Sequence, residues 1–144
     1  MMLALRPKIH PLETMHAYTL RLANANGLNR IPSTLLERRI SSGIAARTDL
    51  PGVSLRRVAE LTGQDGKSLA NQEVRRDAFS WQYQTHRLGQ RHFSLLRRKM
   101  CPTCFDQQGI TPWYWSIRLL TACPDHGLQL IDRCTRCGEP LSWR

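Results

Sequence analysis

Apolar positions recur with helical spacing near the start of the chain. Met15, Tyr18, Leu22 and Ala25 fall at i, i+3, i+7 and i+10, which predicts a helix from about Leu12 or Glu13 to Asn26 with one buried face. Gly27 follows as a natural stop. Pro32 and Ser33 open a second expected helix through Ile40, with Leu35, Leu36 and Ile40 apolar and Arg38 and Arg39 turned outward; Ser41, Ser42 and Gly43 end it. Beyond a loop containing Asp49-Leu50-Pro51-Gly52, Ser54 reads as the N-cap of a third helix whose buried stripe is Leu55, Val58, Ala59 and Leu61 or Thr62, closed by Gly63. A fourth helix, from about Ser68 to Trp81 or beyond, would place Ala70, Val74, Ala78 and Trp81 together and leave Arg75 and Arg76 exposed. Two short helices about a Gly-containing turn fit a helix-turn-helix pair, and equally a plain helical hairpin packing a small core.

The pattern changes after residue 98. All five cysteines lie between Cys101 and Cys137, and three of the four tryptophans lie in the same C-terminal part. The expected organisation is therefore a mainly α N-terminal, helix-turn-helix-like domain over 1–98, followed by a small zinc-ribbon or zinc-finger module over 99–144. No apolar run approaches the ~20 residues a bilayer span requires, and the opening segment is too short and too polar for a signal peptide. The expected location is cytoplasmic, where clustered cysteines point to metal ligation before disulfides.

Charge narrows the partners. The chain carries 21 basic residues against 11 acidic ones, a formal net charge of +10, so nucleic acid leads the partner classes. Only Lys8, Lys67 and Lys99 are lysines, and the remaining bias is toward the planar, bidentate arginine. Between Ala78 and Phe105 there is no acid at all, while Arg87, Arg91, Arg97, Arg98 and Lys99 alternate with Trp81, Tyr83, His86, His92 and Phe93. Such interleaving suits a phosphate backbone and stacked bases, or else a solvated linker face. Arg75, Arg76, Arg87, Arg91, Arg97, Arg98 and Lys99 are the candidate nucleic-acid contacts.

Three knuckles of metal-ligand spacing occur in order: Cys101-Pro102-Thr103-Cys104, Cys123-Pro124-Asp125-His126 and Cys134-Thr135-Arg136-Cys137. Two ligands separated by two residues in a tight turn can face one ion, and two such turns complete a tetrahedron. Zinc is the expected cofactor. Six ligands exceed the four of one site, and two closures are open. Cys101, Cys104, Cys123 and His126 can close together, with the intervening Trp113, Tyr114, Trp115, Ile117 and Leu119 as a hairpin or strand on the metal core. Alternatively, Cys101 and Cys104 can join Cys134 and Cys137. Cys134 and Cys137 in the first closure form half a site, which is completed by another chain or by residues beyond Arg144 in a longer parent, or stays empty.

Catalytic patterns are missing from the residues. The His-x-Glu of zinc deaminases does not occur, no G-x-S-x-G is present, and the Gly66-Lys67-Ser68 triplet lacks the upstream glycine of a phosphate loop. The acids are too scattered for a two-metal nuclease. The expected protein is not an enzyme.

Three stretches together resemble the TniQ family of transposition-targeting proteins. Arg6-Pro7-Lys8, Pro11-Leu12-Glu13-Thr14 and Leu20-Arg21-Leu22-Ala23-Asn24-Ala25-Asn26-Gly27 are similar to the family's opening signature. Cys101 to Cys104, Trp113 to Arg118 and Cys123-Pro124-Asp125-His126-Gly127-Leu128 resemble its central metal element, and Cys134 to Leu141 the start of a second one. The resemblance implies that Cys101, Cys104, Cys123 and His126 hold the first zinc and that Cys134 and Cys137 begin the second. It also implies a non-enzymatic adaptor that links a guide-RNA effector complex, as in CRISPR-associated transposons, or target DNA to a TnsC-type AAA+ ATPase. The alternative expectation is a zinc-containing helix-turn-helix transcription regulator.

Overall fold

The computed structural model describes residues 3–29, 31–32, 35–37, 52–95 and 97–141. Helix α1 (Met15–Ala25) begins where the Thr14 hydroxyl accepts the Ala17 N–H at 3.2 Å, and it ends at Asn26 and Gly27, the latter at φ +74°. Met15, Tyr18 and Leu22 form its buried face and pack against Leu35, Val58 and Leu69. The preceding arm is tied down along α1. The Asn26 side chain exchanges hydrogen bonds with the backbone N–H and carbonyl of Leu5, and the Tyr18 hydroxyl donates to the Pro7 carbonyl at 2.9 Å.

Helix α2 (Leu55–Thr62) is capped by Ser54 and stopped by Gly63 in the left-handed region, as its sequence predicts. The expected helix through Ile40 does not hold over Leu36–Glu37, which instead form strand β1, antiparallel to β2 (Gly52–Val53) with Leu36 opposite Val53. Pairing with a segment some fifteen residues later overrides the modest helix preference of Leu-Leu-Glu. The rest of that expected helix, including Arg38 and Arg39, lies outside the described residues.

The larger correction concerns 68–81. Helix α3 spans only Gly66–Ala70, with Asp65 as N-cap, and the chain then enters strands β3 (Val74–Arg76), β4 (Ser80–Tyr83) and β5 (His86–Gly89). These form one antiparallel sheet in the order β3-β4-β5, with Val74 opposite Tyr83 and Arg76 opposite Trp81. Arg75 and Arg76 therefore sit on a strand, not on a recognition helix, and the five-residue α3 does not make the expected helix-turn-helix. Val74, Trp81 and Tyr83 are buried with Phe93 and Leu95 against Trp113 and Ile117. That core rewards two-residue alternation, which the aromatic and β-branched side chains accommodate better than a helix.

The β3–β4 connection is a hydrogen-bonded turn built on Asp77. Its carboxylate accepts the Phe79 N–H at 2.8 Å, the Ser80 N–H at 2.6 Å and the Ser80 hydroxyl at 2.8 Å. Those bonds hold its pKa down to about 2, with nearby Arg87 adding to the effect. A depressed carboxylate stabilises the fold fully above its unfolded pKa near 4 and loses that contribution as pH falls through about 2. The Phe79 and Ser80 amide resonances are thus expected to hold constant from pH 7 to 4 and to move only toward pH 2; titration near pH 4 would show that the turn is not formed.

The expected boundary at residue 98 is bridged by backbone hydrogen bonds. The Trp113 N–H donates to the Leu12 carbonyl at 2.7 Å, and the Ser94 N–H to the Ser116 carbonyl at 3.0 Å. The Tyr83 hydroxyl donates to the Glu13 carbonyl at 2.9 Å; burial, and then the Glu13 charge, pushes its pKa up. The Cys-rich part is thereby joined to both α1 and the sheet.

Candidate metal centre

Cys101 is the N-cap of α4 (Pro102–Gln108), and Pro102 at the first helical position lacks the N–H that would be unsatisfied there anyway. One turn of helix brings Cys104 beside Cys101. Cys123 opens a tight turn in which the Gly127 N–H donates to the Cys123 carbonyl at 2.8 Å and the Cys123 N–H to the Leu128 carbonyl at 2.7 Å. Gly127, at φ +64°, lets the chain reverse and swings His126 back over the cysteines.

The three sulfurs and His126 Nδ1 all lie within 4.8 Å of one another. Nδ1 stands 3.8 Å from Cys101 Sγ, 3.1 Å from Cys104 Sγ and 3.7 Å from Cys123 Sγ, and the Cys104 and Cys123 sulfurs are 3.4 Å apart. The last distance is far beyond the ~2.05 Å of a disulfide. A tetrahedral ion with metal–sulfur bonds of about 2.3 Å and a metal–nitrogen bond of about 2.0 Å requires donor separations of about 3.5–3.8 Å, so the cluster fits such an ion. Burial, and after it the neighbouring Cys123 and Cys101 sulfurs, pushes the Cys104 thiol up to about 12. A cation at this point would reverse that shift by binding the Cys104 thiolate.

The surroundings are apolar. Trp115 and Leu130 are buried with the three cysteines, and Met100, Tyr114 and Leu120 pack against them. Trp113–Ser116 form a 3-10 turn rather than the expected hairpin or strand, although the segment does pack on the cysteine cluster. Of the two closures left open by spacing, the structure assembles Cys101, Cys104, Cys123 and His126. Cys134 and Cys137 lie outside that cluster, half-buried and exposed respectively. Their turn repeats the bonds of the second knuckle: the Gly138 N–H donates to the Cys134 carbonyl at 2.9 Å and the Cys134 N–H to the Glu139 carbonyl at 2.8 Å.

The candidate nucleic-acid residues divide in two. Arg75, Arg76, Arg87, Arg91 and Arg97 are exposed. Arg98 and Lys99 turn inward: Arg98 bonds the Thr111 hydroxyl at 3.1 Å and lies over the Phe105 ring, while Lys99 Nζ donates to the carbonyls of Ile117 at 2.7 Å and of Leu120. Burial lowers the pKa of both. Residue type alone could not separate the two groups. Sequence reasoning also passed over the Glu13–Arg21 pair, in which Glu13 is fully buried and accepts from Arg21 at 2.6 and 2.7 Å. The signal available was their place in the opening signature.

Fold and site define a small knuckle protein in which Cys101, Cys104, Cys123 and His126 lie close enough together that they could hold a metal ion. The TniQ family model matches residues 4–130, and the chain belongs to the TniQ family. TniQ proteins are known as non-catalytic transposition-targeting proteins, and membership implies a transposition-associated DNA-binding or adaptor role. A search among curated proteins finds no match. Among the described residues, no helix is long and apolar enough to cross a membrane.

Proposed function

We propose that this chain is a non-enzymatic adaptor in target-site selection for DNA transposition, joining a target-recognition complex or target DNA to a TnsC-type AAA+ ATPase. The observation that carries this reading is the TniQ match across residues 4–130, which takes in the N-terminal helical part, the sheet and the Cys101, Cys104, Cys123 and His126 cluster. We assign zinc to that cluster. Three thiolates and an imidazole in tetrahedral spacing are the donor set of structural zinc, and four protein ligands leave no open position for a substrate. The zinc then holds a surface in shape. The exposed arginines Arg75, Arg76, Arg87, Arg91 and Arg97 provide the affinity for a phosphate backbone.

The test is a transposition assay in cells lacking the chain, with pull-down of the cognate AAA+ ATPase. Wild type should restore targeted insertion and retain the ATPase. Insertion at an unchanged rate and position without the chain, and no ATPase retained, would reject the adaptor role. A separate expectation concerns the third knuckle. Native mass spectrometry of wild type and of the Cys134→Ser/Cys137→Ser variant should give one zinc per protomer in both, because neither residue belongs to the assembled cluster. A zinc lost on that double substitution would mean that this knuckle binds metal too.

A further inference from the structure

Phe79 is the most exposed large apolar side chain of the described residues, at 83%, and it stands on the hydrogen-bonded β3–β4 turn. Asp77 fixes the Phe79 and Ser80 amides from one side. From the other, the Gln90 side-chain amide donates to the carbonyls of Asp77 at 3.2 Å and Ala78 at 2.6 Å, and the Gln90 backbone N–H donates to the Phe79 carbonyl at 3.3 Å. An exposed phenyl ring on a floppy loop is ordinary. One held on a turn by this many bonds is preorganised, so ordering it on a partner costs little.

Two guanidinium groups frame the ring's backbone. Arg87 bonds Asp77 at 2.9 Å and the Ser80 hydroxyl at 2.8 Å; Arg76 bonds Gln90 at 3.2 Å and lies over the Trp81 ring. In the sheet register Arg75, Gln82 and Arg87 stand directly opposite one another on three adjacent strands and so share one face, opposite to that of Trp81 and Tyr83. Gln82 is exposed between the two arginines. The partners Glu73 and Asp77 are themselves solvent-accessible, and such surface pairs hold their cations weakly enough for a phosphate to compete.

Resting on the reading of this chain as a protein that works at DNA, we propose that the β3–β4 turn is a base-stacking contact. Phe79 lies against an unpaired or unstacked DNA base while Arg75 and Arg87 hold flanking phosphates. The charge around the ring decides the partner class. A protein pocket for an isolated phenylalanine calls for apolar neighbours, whereas a ring among exposed arginines matches the combination of stacking platform and electrostatic groove used on single strands and distorted duplexes.

The test measures anisotropy of the zinc-loaded full chain on three labelled DNAs of one sequence: a duplex, the duplex with one unpaired base, and the single strand. Phe79→Ala should weaken binding to the last two about 5- to 150-fold, the worth of one base–aromatic stack, with the salt slope unchanged. Phe79→Trp should restore it and show quenched indole fluorescence on the DNA. Arg75→Ala and Arg87→Ala should each lower the single-strand salt slope by roughly 0.7. The exposed ring supports no core, so Phe79→Ala should melt like wild type. Unchanged DNA affinity for Phe79→Ala alongside weakened arginine variants would overturn the stacking contact and leave DNA binding standing. Unchanged DNA affinity with loss of the ATPase in the pull-down would assign Phe79 to a protein instead, and tighter binding to the same sequence as RNA would overturn the choice of DNA. Failure of wild type to bind any of the three DNAs would overturn this proposal while leaving the adaptor role to the transposition assay.

Discussion

Serine at Cys123 is expected to release the metal and to unfold the segment from Met100 to Ile131, the largest effect of any single substitution in this chain. Apart from its bonds to α1 and the sheet through Trp113 and Ser116, that segment has a small core of its own. Its buried apolar groups besides the ligands are Ile110, Trp115 and Leu130, with Met100, Tyr114 and Leu120 partly covered, and its only α-helix, α4, is seven residues long. Structural zinc contributes about 10–16 kcal/mol in isolated zinc-finger peptides near neutral pH, several times the about 1.5–3 kcal/mol of any one buried apolar side chain there. Elemental analysis should show zinc falling below stoichiometric, and limited proteolysis should cut between 100 and 131 while α1 and α2 stay intact. Chelation of wild type should do the same. Acid should too, in a definite direction: thiolates and neutral imidazole are the binding forms, so zinc is retained at neutral and higher pH and is lost as pH falls and protons displace it. A Cys123→Ser protein with full protease resistance would rule out a structural metal.

Arg21→Ala is expected to cost about 3 kcal/mol. Glu13 is fully buried while its partner is 23% exposed. The carboxylate accepts Arg21 Nε at 2.7 Å, Arg21 Nη2 at 2.6 Å and the His10 N–H at 3.0 Å, and hydrogen bonding to Glu13 raises the Arg21 pKa. Removing the cation leaves a buried charge without its counter-ion, which typically costs 3–5 kcal/mol; the low end applies because Arg21 reaches water. Arg21 Nη2 also ties the Lys8 carbonyl at 2.8 Å, so the arm ahead of α1 should loosen. The melting temperature should drop by roughly 10 °C. The double variant Arg21→Ala/Glu13→Gln should recover part of that loss, since no stranded charge remains. A double variant no more stable than Arg21→Ala would show that the pair's charge is not what matters.

The opening signature that resembles TniQ is therefore legible as architecture. Glu13 and Arg21 pair, Leu22 and Ala23 are buried, Asn26 clasps Leu5, and Gly27 turns the chain at positive φ. Caps and stops are local chemistry, which is why α2 is legible at both ends and α1 to within two or three residues. The 68–81 stretch reads as a helix because Val74 and Trp81 are seven residues apart, a helical spacing, whereas the strand alternation of Trp81 and Tyr83 starts only beyond the turn at Asp77. Phe93, Trp113 and Ile117, distant in sequence, settled it by offering a flat apolar surface that only a strand can cover with alternate residues.

Spacing within each knuckle was enough to announce metal ligands, because two residues between donors is a property of one turn. Which two knuckles close on one ion is a property of where α4 and the 123–127 turn sit, and only the tertiary structure brings His126 Nδ1 to 3.1 Å from Cys104 Sγ. The same holds for the basic residues. Composition established an arginine-rich, positively charged chain, but packing turned Lys99 onto the carbonyls of Ile117 and Leu120 and left Arg75 and Arg87 in solvent. Whether a long cation faces inward or outward depends on which carbonyls and rings the fold places beneath it, and those come from parts of the chain that local patterns do not connect.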